Sequence, residues 1–258
     1  MSICSPHINS SYTCFDYETL VQLAQMCNDK YNVKINTNNK GKKLWEAIND
    51  VMIKQSSCNN YDEVCWTTTL NIPKEEHFKP ERPKGKYTWL NTSDINRVME
   101  QYEKKYKDFV FIGAIPRDFF IILDEFGKRG MDKLSKKAKK IGIIFNTDKH
   151  DQSGSHWLAV FIDLNAKTIE HFDSTGRKPI KDIDDFIKQL VINAYMNLGI
   201  ELKKKINRKS HQLQDSECGV YSLYYLIQRL KGRTFEDITS NVIRDKEMNK
   251  CRNTFFRS

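Results

Sequence analysis

Cys218 is the residue best placed to act as a nucleophile, in the stretch 211–221 (His-Gln-Leu-Gln-Asp-Ser-Glu-Cys-Gly-Val-Tyr). An amphipathic helix is predicted to begin there, because apolar residues that follow share one helical face: Val220, Leu223, Tyr224, Ile227 and Leu230. The unpaired N–H groups and positive partial charge of a helix N-terminus favour the thiolate, the reactive form of cysteine. Gly219 lets another group approach the sulfur, and the side-chain amide of Gln212 could point at a developing oxyanion. On this stretch alone, a buried helical cysteine is the simpler interpretation.

A second stretch offers an imidazole and a carboxylate. His156 precedes a run typical of a buried strand, 157–163, and a plausible turn at 165–166 leads into a returning strand that reaches Asp173. If the hairpin is centred on that turn, His156 lies two residues from the partner of Asp173, on the same sheet face. Such diagonal neighbours are about 7–8 Å apart at the backbone, so Asp173 could orient the imidazole as a catalytic triad requires. A slip of one residue would put the two on opposite faces.

These residues resemble the pattern of a known family. The order His156-Trp157, Asp173-Ser174, Gln212, Cys218-Gly219 is similar to that of the adenain and SUMO-protease group of cysteine proteases. Within this group, the resemblance is strongest to the polyprotein-processing proteases of large DNA viruses, of the African swine fever virus type, and it covers roughly residues 87–230. It implies that His156 is the base, that Asp173 orients it, and that Gln212 helps to stabilise the oxyanion formed when Cys218 attacks.

The resemblance also implies a substrate site. In the family, tryptophans at the positions of Trp89 and Trp157 close a narrow tunnel, and two aromatic walls leave room only for Gly-Gly. Asn91 completes the family's Trp-Leu-Asn pattern, although Thr92 replaces the acidic residue that follows it. Asn146 is expected to orient a substrate strand or to cap a loop. The alternative for both tryptophans is a place in the core.

Other histidines and other functions stay open at this stage. His171 competes with His156, since it lies two residues from Asp173 on the same strand face; a core or surface role is the common explanation for it, as for His150 and His211. The resemblance implies an endopeptidase that cleaves after Gly-Gly in viral structural polyproteins during virion maturation, located in the virion and the host cytoplasm. Alternatives are a SUMO- or ubiquitin-like deconjugating protease, an acetyltransferase, and a nucleic-acid-binding protein with an inactive protease fold. No metal or cofactor is expected.

The composition is that of a globular protein. The 258 residues are 39% hydrophobic, no apolar run approaches the ~20 residues of a membrane span, and the N-terminus lacks the pattern of a secretion signal. Seven cysteines without paired spacing favour a reducing compartment. Cys58 and Cys65 could form half of a metal site, but no matching His or Cys pair follows them.

The net charge of +9 is concentrated in two basic segments. One contains Lys128, Arg129, Lys133, Lys136, Lys137, Lys139 and Lys140, and the other contains Lys203, Lys204, Lys205, Arg208 and Lys209. Such segments attract nucleic acid or acidic partners. No nucleic-acid-binding motif accompanies them, so a solvated lysine-rich surface is preferred and nucleic acid is not favoured as a partner.

Three regions are predicted along the chain: an N-terminal helical arm at 1–72, a linker at 73–86 that contains three of the six prolines, and a protease core at 87–258. The expected fold class is α+β, with a central mixed β-sheet flanked by helices. Strands are predicted at 109–115 and 141–145, with an edge strand at 200–207 whose lysines would block further pairing. Helices are predicted in the arm after Asp16 and near Leu44, and in the core after Ser93, around 119–126 and after Asp182, the last ending at Gly199. Phe255-Phe256 is expected to anchor the tail.

Overall fold

A computed structural model describes residues 3–119 and 138–257 of the protein. Backbone contacts divide the chain into two compact units, Met1–Glu81 together with Arg257, and Arg82–Phe256. The division falls inside the predicted linker, yet the first part of that linker belongs to the first unit, where Phe78 is buried in the core. Most of the first basic segment, and the predicted helix beyond Phe119, lie outside the described residues. Within the described stretches, no helix has the length and apolar character needed to cross a membrane.

The first unit is helical, as predicted. Its elements are α1 (Tyr17–Tyr31), α2 (Lys42–Gln55), α3 (Glu63–Thr69) and a 3-10 turn (Lys74–Glu76). Asp16 caps α1, since its carboxylate accepts a hydrogen bond from the backbone N–H of Thr19 at 2.8 Å. α3 was not predicted, because seven residues are too few to establish a helical period.

Four of the seven cysteines are paired in this unit. Disulfides join Cys4 to Cys14 and Cys58 to Cys65, while Cys27, Cys218 and Cys251 are free thiols. The interpretation of unpaired cysteines in a reducing compartment is therefore wrong for these four. Chain spacing did not reveal the pairs, because pairing depends on the Cα–Cα distances of 4.9 and 5.6 Å that folding creates.

The second unit is built on a five-stranded sheet in the order β1-β2-β3-β4-β5. The strands are β1 (Phe109–Pro116), β2 (Lys140–Asn146), β3 (Trp157–Asp163), β4 (Thr168–Phe172) and β5 (Lys203–Ile206). The pairs β1–β2 and β4–β5 are parallel, and β2–β3 and β3–β4 are antiparallel, so the sheet is mixed. The predicted α+β class, the strands and the edge position of β5 are confirmed.

Helices cover both faces of this sheet. They are α4 (Thr92–Lys105), α5 (Lys181–Leu198), α6 (Cys218–Leu230), α7 (Phe235–Ser240), α8 (Asp245–Lys250) and α9 (Arg252–Phe255). α5 packs on one face and ends at Gly199, as predicted, while α4 and α6 pack on the other. Two predicted caps are wrong: Asn91, rather than Ser93, caps α4 in a reciprocal pair with Asp94, and the side chain of Asp182 does not cap α5.

A buried ion pair ties α6 to β4. Glu170, fully buried on β4, accepts hydrogen bonds from Arg229 Nε at 2.7 Å, Arg229 Nη2 at 3.1 Å and Tyr225 Oη at 2.6 Å, both residues lying on α6. Thr168 Oγ1 donates to the same carboxylate at 2.8 Å. Because the carboxylate has four donors, its burial is compensated, and the helix that begins at Cys218 is held in register with the strand that leads to Asp173.

Candidate active site

The β3–β4 hairpin has the register on which the predicted triad depends. Ala159 pairs with Phe172 and Asp163 with Thr168, so the hairpin is centred on 165–166 as predicted. His156 and Asp173 flank the paired residues at the same end, and His156 Nε2 lies 2.8 Å from Asp173 Oδ1. The hairpin thus brings the predicted imidazole and carboxylate into direct contact.

The carboxylate of Asp173 is buried but well supplied with donors. Thr175 donates to Asp173 Oδ1 from its backbone N–H and from Oγ1, both at 2.8 Å. Burial raises the pKa of Asp173, but the hydrogen bonds from His156 and Thr175 lower it by more, so this pKa lies below its usual range. Asp173 therefore stays negatively charged at neutral pH. Thr175 was not predicted from the sequence as a partner of Asp173.

His156 contacts Asp173 directly and interacts electrostatically with Cys218. Burial lowers the pKa of the imidazole, but the hydrogen bonds and negative charges of Asp173 and Cys218 outweigh it and raise this pKa to about 9. With Nε2 on Asp173, Nδ1 is the ring nitrogen left for the thiol. An imidazolium beside the sulfur stabilises negative charge there, as nucleophilic catalysis by cysteine requires.

Cys218 is the first residue of α6 and is 2% exposed. A Cβ on Gly219 would lie 3.1 Å from Leu90 Cβ and 3.4 Å from Trp157 Cδ1, so glycine allows the start of α6 to pack closely against both. Glu217, just before the thiol, is fixed by a buried ion pair with Arg252 Nε at 2.9 Å and a hydrogen bond from Asn249 at 2.9 Å. The C-terminal helices thereby hold the start of α6, a role that the sequence did not indicate.

Gln212 is held by Ser174, the residue after the carboxylate. Ser174 Oγ donates to Gln212 Oε1 at 2.6 Å, and the backbone N–H groups of His211 and Gln212 both donate to Ser174 O, at 2.8 and 2.9 Å. Gln212 Nε2 donates to the carbonyl of Gln214. An amide nitrogen has two hydrogens, so one remains for a ligand. The Gln212 side chain is therefore oriented by its own neighbours, with its carbonyl directed away from that ligand.

The four predicted substrate residues, Trp89, Asn91, Asn146 and Trp157, line one cavity of about 480 Å³. Trp89 is 44% exposed, whereas Trp157 is 7% exposed and donates from Nε1 to Leu90 O at 2.9 Å. Both asparagines have structural partners: Asn91 caps α4, and Asn146 Oδ1 accepts from the backbone N–H of Asp148 and of Ser155, which closes the loop between β2 and β3. Asn146 thus caps a loop, one of the two roles foreseen for it.

The competing histidines lie elsewhere in the same unit. His171 is fully buried on β4, and burial lowers its pKa to about 4, so it is neutral at neutral pH. His150 pairs with Asp118 at 2.8 Å, and His211 packs edge-on against Phe172. Interaction with Cys218 raises the pKa of His156, and no such interaction is seen for these three in the described part of the chain, so His156 stays the predicted base.

The family described as the Ulp1 protease family, C-terminal catalytic domain, matches residues 65–258. The chain belongs to the Ulp1 protease family. Among its relatives, a thiol protease of Acanthamoeba polyphaga mimivirus is 33% identical over 287 residues, which span 100% of this chain and 94% of the relative. The SUMO-1 cysteine protease of African swine fever virus is 29% identical over 207 residues, which span 73% of this chain and 75% of the relative.

The fold is shared with a viral protease of known structure. The crystal structure of an African swine fever virus protease superposes with a TM-score of 0.71 over 99% of this chain and 96% of that chain, at 21% identity. The predicted family, the predicted fold and the prediction of a cysteine protease are confirmed. The chain is a Ulp1-like cysteine protease related to enzymes of large DNA viruses.

Proposed function

We propose that Cys218 is the nucleophile of this protease and His156 its acid and base. The Cys218 thiolate attacks the scissile carbonyl carbon, and the carbonyl electron pair moves to oxygen. When the tetrahedral intermediate collapses, the C–N bond breaks and the imidazolium of His156 gives its proton to the leaving amine. His156 then deprotonates a water molecule, which attacks the thioester carbonyl. The C–S bond breaks, and the Cys218 thiolate and the His156 imidazolium are regenerated. Asp173 keeps the imidazole oriented and positively charged during the first half of this cycle.

The oxyanion is stabilised by two donors in this proposal. One is the backbone N–H of Cys218, which is among the unpaired groups of the α6 N-terminus. The other is the Gln212 amide nitrogen, which Ser174 orients by occupying the amide oxygen. Removal of one such donor typically costs 10²–10³ in kcat, so Gln212→Ala should retain less than about 1% of wild-type turnover.

The substrate is cleaved after Gly-Gly. Two observations carry this proposal: Trp89 and Trp157 line one cavity, and Trp157 lies so close to Gly219, the residue after Cys218, that a Cβ there would be 3.4 Å from Trp157 Cδ1. Trp157 is fixed by its hydrogen bond to Leu90, so it cannot move aside for a larger residue without losing that bond. A β-carbon forced against such a wall costs about 1–3 kcal/mol, or roughly one to two decades in rate.

The natural role is processing of viral structural polyproteins during virion maturation, in the virion and the host cytoplasm. The relatedness to a mimivirus thiol protease over the whole chain supports this role. The second candidate is removal of SUMO or a ubiquitin-like protein, which is favoured by the similarity to the African swine fever virus enzyme named a SUMO-1 cysteine protease. A deconjugating enzyme must hold a folded partner over about 800 Å², whereas a polyprotein enzyme needs only an extended strand in its cleft.

The two roles are separated by a direct comparison of substrates. Purified full-length protein is offered SUMO and ubiquitin conjugates beside Gly-Gly-Xaa peptides drawn from candidate virion proteins, and kcat/KM is measured for each. Efficient cleavage of the peptides with slow release of SUMO and ubiquitin is expected. The reverse order would overturn the maturation role and leave the proposed catalytic residues intact.

A further inference from the structure

Four basic residues lie beside the proposed active site without a role in it. Arg177 and Lys178 follow Asp173 by four and five residues, and Arg208 and Lys209 precede Gln212 by four and three. We call these four residues the basic cluster. All four are exposed. They belong to two segments that leave the sheet after β4 and after β5.

The two segments are packed together at the backbone. A Cβ on Gly176, whose φ is +74°, would lie 2.9 Å from the carbonyl carbon of Lys209 and 2.9 Å from the backbone nitrogen of Ser210. Asn207 Nδ2 bridges the segments, because it donates to Asp173 O at 2.8 Å and to Lys209 O at 3.0 Å. The basic cluster is therefore a fixed feature of the site, attached to the backbone of the proposed catalytic carboxylate.

The order of the strands places this cluster opposite the substrate cavity. Pro116, Asn146 and Trp157 pair in a row across β1, β2 and β3, and all three line the cavity. The same end of the sheet continues through Asp173 after β4 to the residues that follow β5, since β4 and β5 are parallel to each other and antiparallel to β3. The proposed catalytic His–Asp pair thus stands between the cavity and the basic cluster.

None of these four cations is neutralised by a carboxylate in the described part of the chain. No carboxylate among the described residues lies within ion-pair distance of Arg177, Lys178 or Arg208, and Lys209 Nζ donates to the backbone carbonyl of Ser240 at 3.0 Å. By contrast, Lys204 and Lys205 on β5 are paired with Asp184 and Glu236. Among the described residues, Lys203 at the far end of β5 has no acidic partner either, so the second basic segment has two uncompensated charges at the site end, on Arg208 and Lys209, and one at the far end.

We propose that the basic cluster binds an acidic segment of the substrate on the carboxyl-terminal side of the scissile bond. The inference rests on the proposed function: if Gly-Gly occupies the cavity at β1–β3, the chain beyond the cut leaves over β4 and β5. From β3 to β5 the distance is two strand spacings, or about 10 Å, which an extended peptide covers in roughly three residues. The cluster is thus a specificity element for acidic residues near the third and fourth positions after the cut.

The test uses two fluorogenic peptides that are identical through Gly-Gly and carry either Glu or the isosteric Gln at the third and fourth positions after the cut. At low ionic strength, wild-type protein should cleave the Glu peptide about three- to tenfold faster in kcat/KM, as expected for two exposed ion pairs. The preference should fade at about 0.5 M salt, where screening is strong. In R177E/R208E the preference should vanish or reverse, while cleavage of the Gln peptide stays within about twofold of wild type.

The matched control is K203E/K231E, which changes the net charge equally. Lys203 begins β5 at the far end of the sheet, and Lys231 follows α6, about 20 Å from Cys218 along a helix of this length. This variant should keep the wild-type preference.

Equal cleavage of both peptides by wild type, or an unchanged preference in R177E/R208E, would overturn the proposal and leave the proposed function standing. If R177E/R208E lost only affinity for a DNA oligonucleotide, the cluster would be a nucleic-acid site instead. Failure to cleave either peptide would contradict the proposed function itself.

Discussion

His156 has two partners of negative or potentially negative charge, and this sets its protonation. A histidine that is mostly buried normally loses its proton easily, because burial disfavours the charged form. Here Asp173 and Cys218 reverse that effect and raise the pKa to about 9. The imidazole is consequently protonated at neutral pH, so in the proposed mechanism the proton that the leaving amine needs is present before substrate binds. Asp173 can raise the pKa of His156 in this way because hydrogen bonds from Thr175 and His156 keep its own carboxylate ionised.

The first prediction concerns the alkaline limb of the pH profile, the range in which kcat/KM falls as pH rises. Because His156 must carry its proton to act as the acid, kcat/KM should fall as pH rises through about 9. Asp173→Asn removes the negative charge but keeps the shape, so it should lower the pKa of His156 and move the limb to lower pH by about one unit or more. The pH profile of kcat/KM on one peptide measures this shift. Asp185→Asn, at an exposed carboxylate on α5, should leave the limb in place; an unmoved limb in Asp173→Asn would show that Asp173 does not set it.

Side-chain contacts could be predicted from the sequence where a hairpin turn fixes which residues pair. The turn at 165–166 determines the register of the hairpin, so the contact of His156 with Asp173 followed from counting residues. The partners Thr175, Arg252 and Asn249 could not be found in this way. The two C-terminal residues reach Glu217 from more than thirty positions away, and no short-range pattern signals such a contact.

Among the secondary-structure elements, the proposed site depends on hydrogen bonds between the end of β4 and the segment that precedes α6. The Ser174 carbonyl accepts hydrogen bonds from the backbone N–H groups of His211 and Gln212, and its hydroxyl donates one to the Gln212 side chain. Glu170 makes a second joint between β4 and α6 through Tyr225 and Arg229. Both joints connect the element that provides the carboxylate with the elements that provide the amide and the thiol.

The second prediction follows from the first of these joints. Ser174→Ala should lower kcat roughly tenfold with little change in KM, since the Gln212 amide loses the hydrogen bond that orients it. Gln212→Ala should cost more, and the double variant should be no worse than Gln212→Ala alone, because Ser174 acts through Gln212. Additive losses in this double-mutant cycle would mean that Ser174 contributes independently. Ser174→Thr, which keeps the hydroxyl, should recover part of the activity.

Elements with a clear hydrophobic period were predictable, and the others were not. The strands and the helices α1, α2, α5 and α6 follow from apolar periodicity. The start of α4 was misplaced by two residues, because both Asn91 and Ser93 are good N-cap types and only the reciprocal bond with Asp94 favours the former. Helix α3 and the short tail helices have seven residues or fewer, and propensity alone does not identify such elements.

At the scale of the whole molecule, the thiols divide into two populations. The two disulfides lie in the first unit, whereas the proposed nucleophile Cys218 lies in the second and must remain reduced. The buried position of Cys218 protects it from exchange with other thiols, since exchange requires access to the sulfur. Stability of the first unit and reactivity of the second therefore respond differently to reducing agents.

The third prediction tests this division. Full-length protein purified without reductant should show three free thiols after denaturation, and seven after reduction. Closing loops of this size stabilises a fold by about 2–3 kcal/mol each, so reduction should lower the apparent unfolding temperature. Cys14→Ser should reproduce part of that decrease without loss of peptidase activity. Seven free thiols before reduction would contradict the observed pairing.

Covalent labelling tests together whether Cys218 is the nucleophile and whether the protease selects glycine before the cut. A peptide that ends in Gly-Gly with a vinyl sulfone in place of the scissile bond is incubated with the full-length protein, and the modified residue is located by mass spectrometry. A matched probe ends in Gly-Ala. The Gly-Gly probe should label Cys218 alone, at least about tenfold faster than the Gly-Ala probe, and should not label Cys218→Ala. Labelling at Cys27 or Cys251, or equal rates for the two probes, would contradict the account.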